Sequence, residues 1–101
     1  MRTRMDLHNK FKELLGSEQV YYQPPESLKM QYPAIRYSKA DITNIYANNI
    51  KYHSHDVFDV VIISKIPDHP VIKKILELPY TEFDRHYVSD NLNHDIIRIY
   101  L

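Results

Sequence analysis

The feature that most constrains this chain is the run from Lys51 to Lys65. In an extended strand, Tyr52, Ser54, Asp56, Phe58, Val60 and Ile62 fall on one side and His53, His55, Val57, Asp59, Val61 and Ile63 on the other. The first half mixes polar and apolar residues, but the second half is apolar on both sides. A strand that is apolar on both sides needs cover on both, so this half belongs in the middle of a sheet. Any fold available to the chain must supply flanking strands and layers to cover them.

The remaining elements fit that demand. Thr3 and Asp6 stand at the spacing of a capping box, and Leu7, Phe11, Leu14 and Leu15 recur at helical period up to Gly16, the only glycine. The spacing predicts a helix over 4–15 with one apolar stripe. Val20, Tyr21 and Tyr22 form a short strand that ends at Pro24-Pro25, and Tyr32 to Ser38 forms a second with Pro33 near its start. Asp68 is placed to cap a helix holding Val71, Ile72, Ile75 and Leu76, with Pro70 in its first turn, ending before Pro79. Thr81 to Val88 and Asp95 to Leu101 read as two strands joined by a polar turn over 89–93, with Ile97, Ile99 and Leu101 facing the core. The expected class is α+β: a mostly antiparallel sheet of about five strands packed by two helices, in one domain over 1–101.

Residues 39–50 show neither helical nor strand period and read as a long loop, although they carry Ile42, Ile45, Tyr46 and Ile50. Exposed, such a loop would be sticky; it either folds back on its own domain or inserts into a neighbour. These four residues are the candidate subunit interface. Nine tyrosines against three phenylalanines also favour contact surfaces, because Tyr buries a ring while its hydroxyl finds a polar partner. Tyr21, Tyr37 and Tyr52 are equally accounted for as half-buried strand residues.

Composition excludes several function classes. Thirteen basic residues balance thirteen acidic ones, so no overall positive field draws the chain to nucleic acid or an anionic membrane. Arg2, Arg4, Lys10 and Lys12 near the first helix share their face with acidic residues, as a solvated helix does. Without cysteine there is no disulfide, thiolate nucleophile or Cys-ligated zinc. The charged start, Met1 to Asp6, is not expected to be a signal peptide, and the longest apolar run, Val60 to Ile63, is far shorter than the ~20 residues of a membrane span.

Histidines at 53, 55, 86 and 94 with Asp84 would approach a metal-ligand set only if their strands met, and no further ligand stands at a telling spacing. Asp84, Asp90 and Asp95 could supply general acid and base, but there is no glycine-rich loop or nucleophile elbow beside them. The expectation is a non-enzymatic protein with no catalytic residues, cofactor or metal.

Four strings carry a resemblance: Tyr22-Gln23-Pro24-Pro25-Glu26-Ser27-Leu28-Lys29-Met30, then Tyr32-Pro33-Ala34-Ile35, Phe83-Asp84-Arg85-His86-Tyr87 and Asp90-Asn91-Leu92-Asn93-His94. In these and in its order of elements the chain resembles the small tail terminator, or head-to-tail completion, proteins of tailed phages and prophages, although it is shorter than the lambda-type members. The resemblance implies a virion protein, made in the host bacterial cytoplasm, that forms a hexameric ring on the last ring of tail-tube protein. Such a ring ends tube polymerisation and presents a surface to the head connector, with DNA passing its lumen without sequence-specific binding. The alternative of another class is a small adaptor or regulatory binding domain acting as monomer or dimer.

Overall fold

The computed structural model describes residues 3–47 and 50–101, with side chains described for residues 3–40 and 56–101. Its elements are α1 (Arg4–Leu15), β1 (Val20–Tyr22), β2 (Ala34–Ala47), β3 (Ile50–Ser64), α2 (Pro70–Leu76), β4 (Thr81–Ser89) and β5 (Leu92–Tyr100). The five strands form one open sheet in the order β1-β2-β3-β5-β4, so the strand apolar on both sides lies at its centre, as its pattern requires. β1 runs parallel to β2, and the other neighbouring pairs are antiparallel. The class is α+β.

Both helices lie on one face of the sheet. Leu7 and Phe11 of α1 and Val71, Ile72 and Ile75 of α2 pack there on Ile35, Tyr37, Phe58, Val60, Ile62, Ile97 and Ile99. On the opposite face, Val61, Ile63 and Ile96 are covered by Met30 and Tyr32, from the segment that carries the chain between β1 and β2. That segment is the second cover which β3 demands. Ile97 and Ile99 are buried and Leu101 packs beside them, as their alternation predicts.

The ends of the elements follow local chemistry. Thr3 and Asp6 form a reciprocal capping box at the start of α1, and Gly16 closes its other end with φ +76°, a conformation in which a side chain would be strained. At α2 the cap is His69 rather than Asp68: its Nδ1 accepts from the Val71 N–H at 3.1 Å, and Asp68 adopts φ +52° before it. Because Pro70 occupies the first helical position, the residue immediately before it must be the cap. The β4–β5 connection is also tighter than the five-residue turn expected: only Asp90 and Asn91 lie between the strands, both left-handed (φ 54° and 62°). Such a pair matches the twist of a hairpin, and Asn and Asp tolerate it best after glycine.

The segment over 39–50, expected as a loop, differs most from its sequence pattern. Residues 39–47 and 50 are strand rather than loop: β2 continues to Ala47 and β3 begins at Ile50, in antiparallel register from Asp41 opposite Val57 to Ala47 opposite Ile50, with Asn48 and Asn49 outside the described residues. The shift between Lys39 and Asp41 makes Ala40 an extra residue in β2 and flips the alternation of sides there, and the shift between Ile45 and Tyr46 makes Tyr52 an extra residue in β3.

Candidate interaction surfaces

β1 pairs with β2 only at Ile35 to Tyr37, and β5 pairs with β3 only at Val57 to Ser64. Beyond these limits the two long strands pair with each other alone, as a two-stranded ribbon running on from the sheet. At about 3.3 Å per residue, the pairs from Ile42 to Ala47 extend it by roughly 20 Å. The molecule is correspondingly elongated, 49 × 25 × 23 Å. All four candidate interface residues belong to this ribbon: Ile42 lies opposite Asp56, Ile45 opposite His53, Tyr46 opposite Lys51 and Ile50 opposite Ala47. Their side chains lie outside the described residues, as do those of Tyr52, His53 and His55.

A second surface is β4, an edge strand in which every residue after Thr81 is exposed. Phe83 and Val88 are 47% and 62% accessible, and Tyr80 and Tyr87 add further exposed aromatic area. Thr81, the exception, donates from its hydroxyl towards the Leu76 and Leu78 carbonyls and so ties the strand's start to the end of α2. The register with β5 puts Thr81 and Phe83 on the helix-bearing face, opposite Ile99 and Ile97, and Glu82 on the other, opposite Arg98. A bulge between Phe83 and Arg85 then reverses the alternation. Arg85 and Tyr87 lie on the face without helices, opposite Ile96 and His94, while His86 and Val88 return to the helix side, opposite Asp95 and Asn93. The sequence offered no signal for this bulge.

The histidines and carboxylates weighed for chemistry are dispersed. His94 stacks on Tyr87 at 4.7 Å and its ring donates to the Leu92 carbonyl, whereas His86 bonds the Asn93 side chain at 3.2 Å. Asp90 forms the turn, and Asp84 sits at the bulge. Asp95 is only 5% accessible, and burial raises its carboxyl above the usual range, with His86 working against that shift. Among the described residues no group of three His, Asp or Glu could hold a metal ion. A polar cleft of about 350 Å³ lies on the face without helices, between the segment at Gln23 to Glu26 and the strand residues Arg36, Ser38 and Asp59; Asp59 there accepts from Arg98.

The basic residues of α1 are largely engaged. The Arg4 guanidinium lies 4.1 Å from the centre of the Tyr22 ring and donates to the Tyr37 hydroxyl at 3.1 Å, while Lys12 pairs with Glu18 at 2.8 Å. The Tyr37 hydroxyl also hydrogen-bonds His8 Nδ1, 2.6 Å away. Burial, with the charges of Lys12 and Arg4, holds the His8 ring below the usual imidazole range. Tyr37 is thus 1% accessible rather than half-buried, its ring set among His8, Phe11, Tyr22 and Phe58. Arg2 lies outside the described residues.

Neither a scan against protein-family models nor a search of curated proteins returns a significant match to this chain. Among the described residues, no helix is long and apolar enough to cross a membrane.

Proposed function

We propose that this protein is a non-enzymatic structural subunit of a tailed-phage particle. In this reading it forms a ring, six subunits in the related design, that caps the tail tube, ends its polymerisation and joins the tail to the head connector. The observation that carries the reading is the β2–β3 ribbon. A two-stranded hairpin is at best marginally stable alone in water, so one extended beyond its sheet with Ile42, Ile45, Tyr46 and Ile50 in its sequence suits burial against a neighbouring subunit or the tube end. Charge neutrality fits a ring through which DNA passes without being gripped.

Electron microscopy of growing tail tubes of the cognate phage tests this. Wild-type protein should cap one end of each tube and halt elongation, and the double variant Ile45→Ser with Tyr46→Ser should keep a melting temperature near that of the wild type but leave tubes open. Tubes that elongate normally with wild-type protein present would refute the reading. A second reading, a small adaptor acting as monomer or dimer, is favoured by the exposed β4.

A further inference from the structure

We propose that the free protein forms a two-fold dimer through the edge of β4, its partner being a second copy of this chain, so that two five-stranded sheets join into one. The proposal does not rest on the tail reading. It concerns the protein before assembly and uses an edge strand that has no part in the ribbon.

The bulge in β4 sets how its edge can pair. Residues directly opposite each other in an antiparallel pair share a face of the sheet. Suppose two copies of β4 pair antiparallel about a point between Asp84 and Arg85. Thr81 then meets the partner copy's position 88, Glu82 meets 87, and Phe83 meets 86. In a regular strand these partners differ by an odd number of positions and would lie on opposite faces. The bulge removes the mismatch, because Thr81, Phe83, His86 and Val88 share the helix-bearing face while Glu82, Arg85 and Tyr87 share the other. Bulges often blunt edge strands against pairing. This one instead makes the faces of β4 symmetric about its own centre, which a self-complementary edge requires.

Side-chain chemistry follows the same symmetry. At the centre Asp84 of each copy stands opposite Arg85 of the other, giving two reciprocal ion pairs, and neither residue has an ion-pair partner within the subunit among the described residues. On the helix side, Phe83 and Val88 of both copies, now largely exposed, merge into one apolar patch. Centring the pair on either residue instead returns unlike faces to each other. Shifting it along while keeping faces matched leaves one end of the strand unpaired.

Sedimentation over a dilution series should show a reversible species of twice the 12.1 kDa chain mass. Arg85→Glu, which sets Glu against Asp84 at both central positions, should weaken it about tenfold or more. The exchange D84R/R85D, which restores opposite charges, should recover it. A register test uses the absence of native cysteine. Facing residues lie about 4.5–5.5 Å apart at Cα, within disulfide range, whereas position 82 lies roughly 15 Å from its own copy across the two-fold axis. Oxidised E82C/Y87C should therefore give a covalent dimer, and E82C or Y87C alone should not. A wild type that is monomeric throughout the series, or a dimer indifferent to R85E, would overturn the proposal. So would cross-linking of the single variants as efficient as that of the double.

Discussion

Two residues set opposing responses to acid. His8 is hydrogen-bonded to Tyr37 and held below the usual imidazole range by burial and by Lys12 and Arg4. Its neutral form is favoured on folding, so the stability it contributes is complete above the unfolded value near 6.5 and is lost as pH falls below it. His8→Gln should flatten the decline of melting temperature just below pH 6.5; a decline of unchanged slope would place the titrating group elsewhere. Asp95 works in the other direction. Burial raises its folded pKa, so its cost is present at neutral pH and is relieved as pH falls through that raised value towards the unfolded one. Asp95→Asn should raise the melting temperature at pH 7 by about 2–4 °C, as roughly half a kcal/mol does in a domain of this size. The gain should shrink on acidification, and equal melting temperatures at pH 7 would show that the carboxylate is adequately solvated.

At the level of elements, the sharpest test is the two-residue turn between β4 and β5. Both Asp90 and Asn91 occupy left-handed backbone, where a Cβ-bearing residue without a local hydrogen-bonding group costs about 1–2 kcal/mol. Asn91→Ala should destabilise the protein by about 1 kcal/mol and Asn91→Gly should stabilise it slightly, both read from urea unfolding. The contrast shows what a sequence discloses. The α1 caps, the apolar stripe of α1 and the central place of β3 are local periodicities, and the structure has all of them. The ribbon was hidden because the extra residue Ala40 breaks the alternation that identifies a strand, and the turn read long because the strand ends Ser89 and Asn93 are themselves common turn residues. His69 was masked as a cap because Asp68 beside it is the commoner capping residue, and only the position of Pro70 decides between them. For residues 42–47 and 50 the composition suggested a loop where the backbone is paired strand, since isoleucine and tyrosine announce contact without announcing its geometry. The β4 surface was not legible at all, because an edge strand and a central one differ in their neighbours rather than in their own residues.

The whole molecule divides into a helix-covered sheet and a ribbon that pairs only with itself. If the core owes nothing to the ribbon, shortening the ribbon should leave the core's cooperative unfolding intact. Ile42 and Asp56 face each other, so replacing residues 43–55 with Asn-Gly joins them by a two-residue hairpin turn. The shortened protein should melt within about 4 °C of the full chain, a difference below roughly 1 kcal/mol, yet fail to cap tail tubes. A collapse of the melting temperature would make the ribbon part of the folding unit.

The Tyr37 hydroxyl, enclosed beneath α1, makes this chain its own optical indicator. There is no tryptophan to obscure the phenol signal. Burial raises the ionisation of Tyr37 above the ordinary phenol range, more than Arg4 lowers it, so folding favours the protonated ring and this stabilisation is lost as pH rises above about 10. In an alkaline titration, tyrosinate absorbance should therefore gain a late component that develops together with the loss of far-ultraviolet circular dichroism. Tyr37→Phe should abolish that component while destabilising the fold by about 1–2 kcal/mol through the two hydrogen bonds it removes. If the late component persists in the variant, another phenol is the indicator.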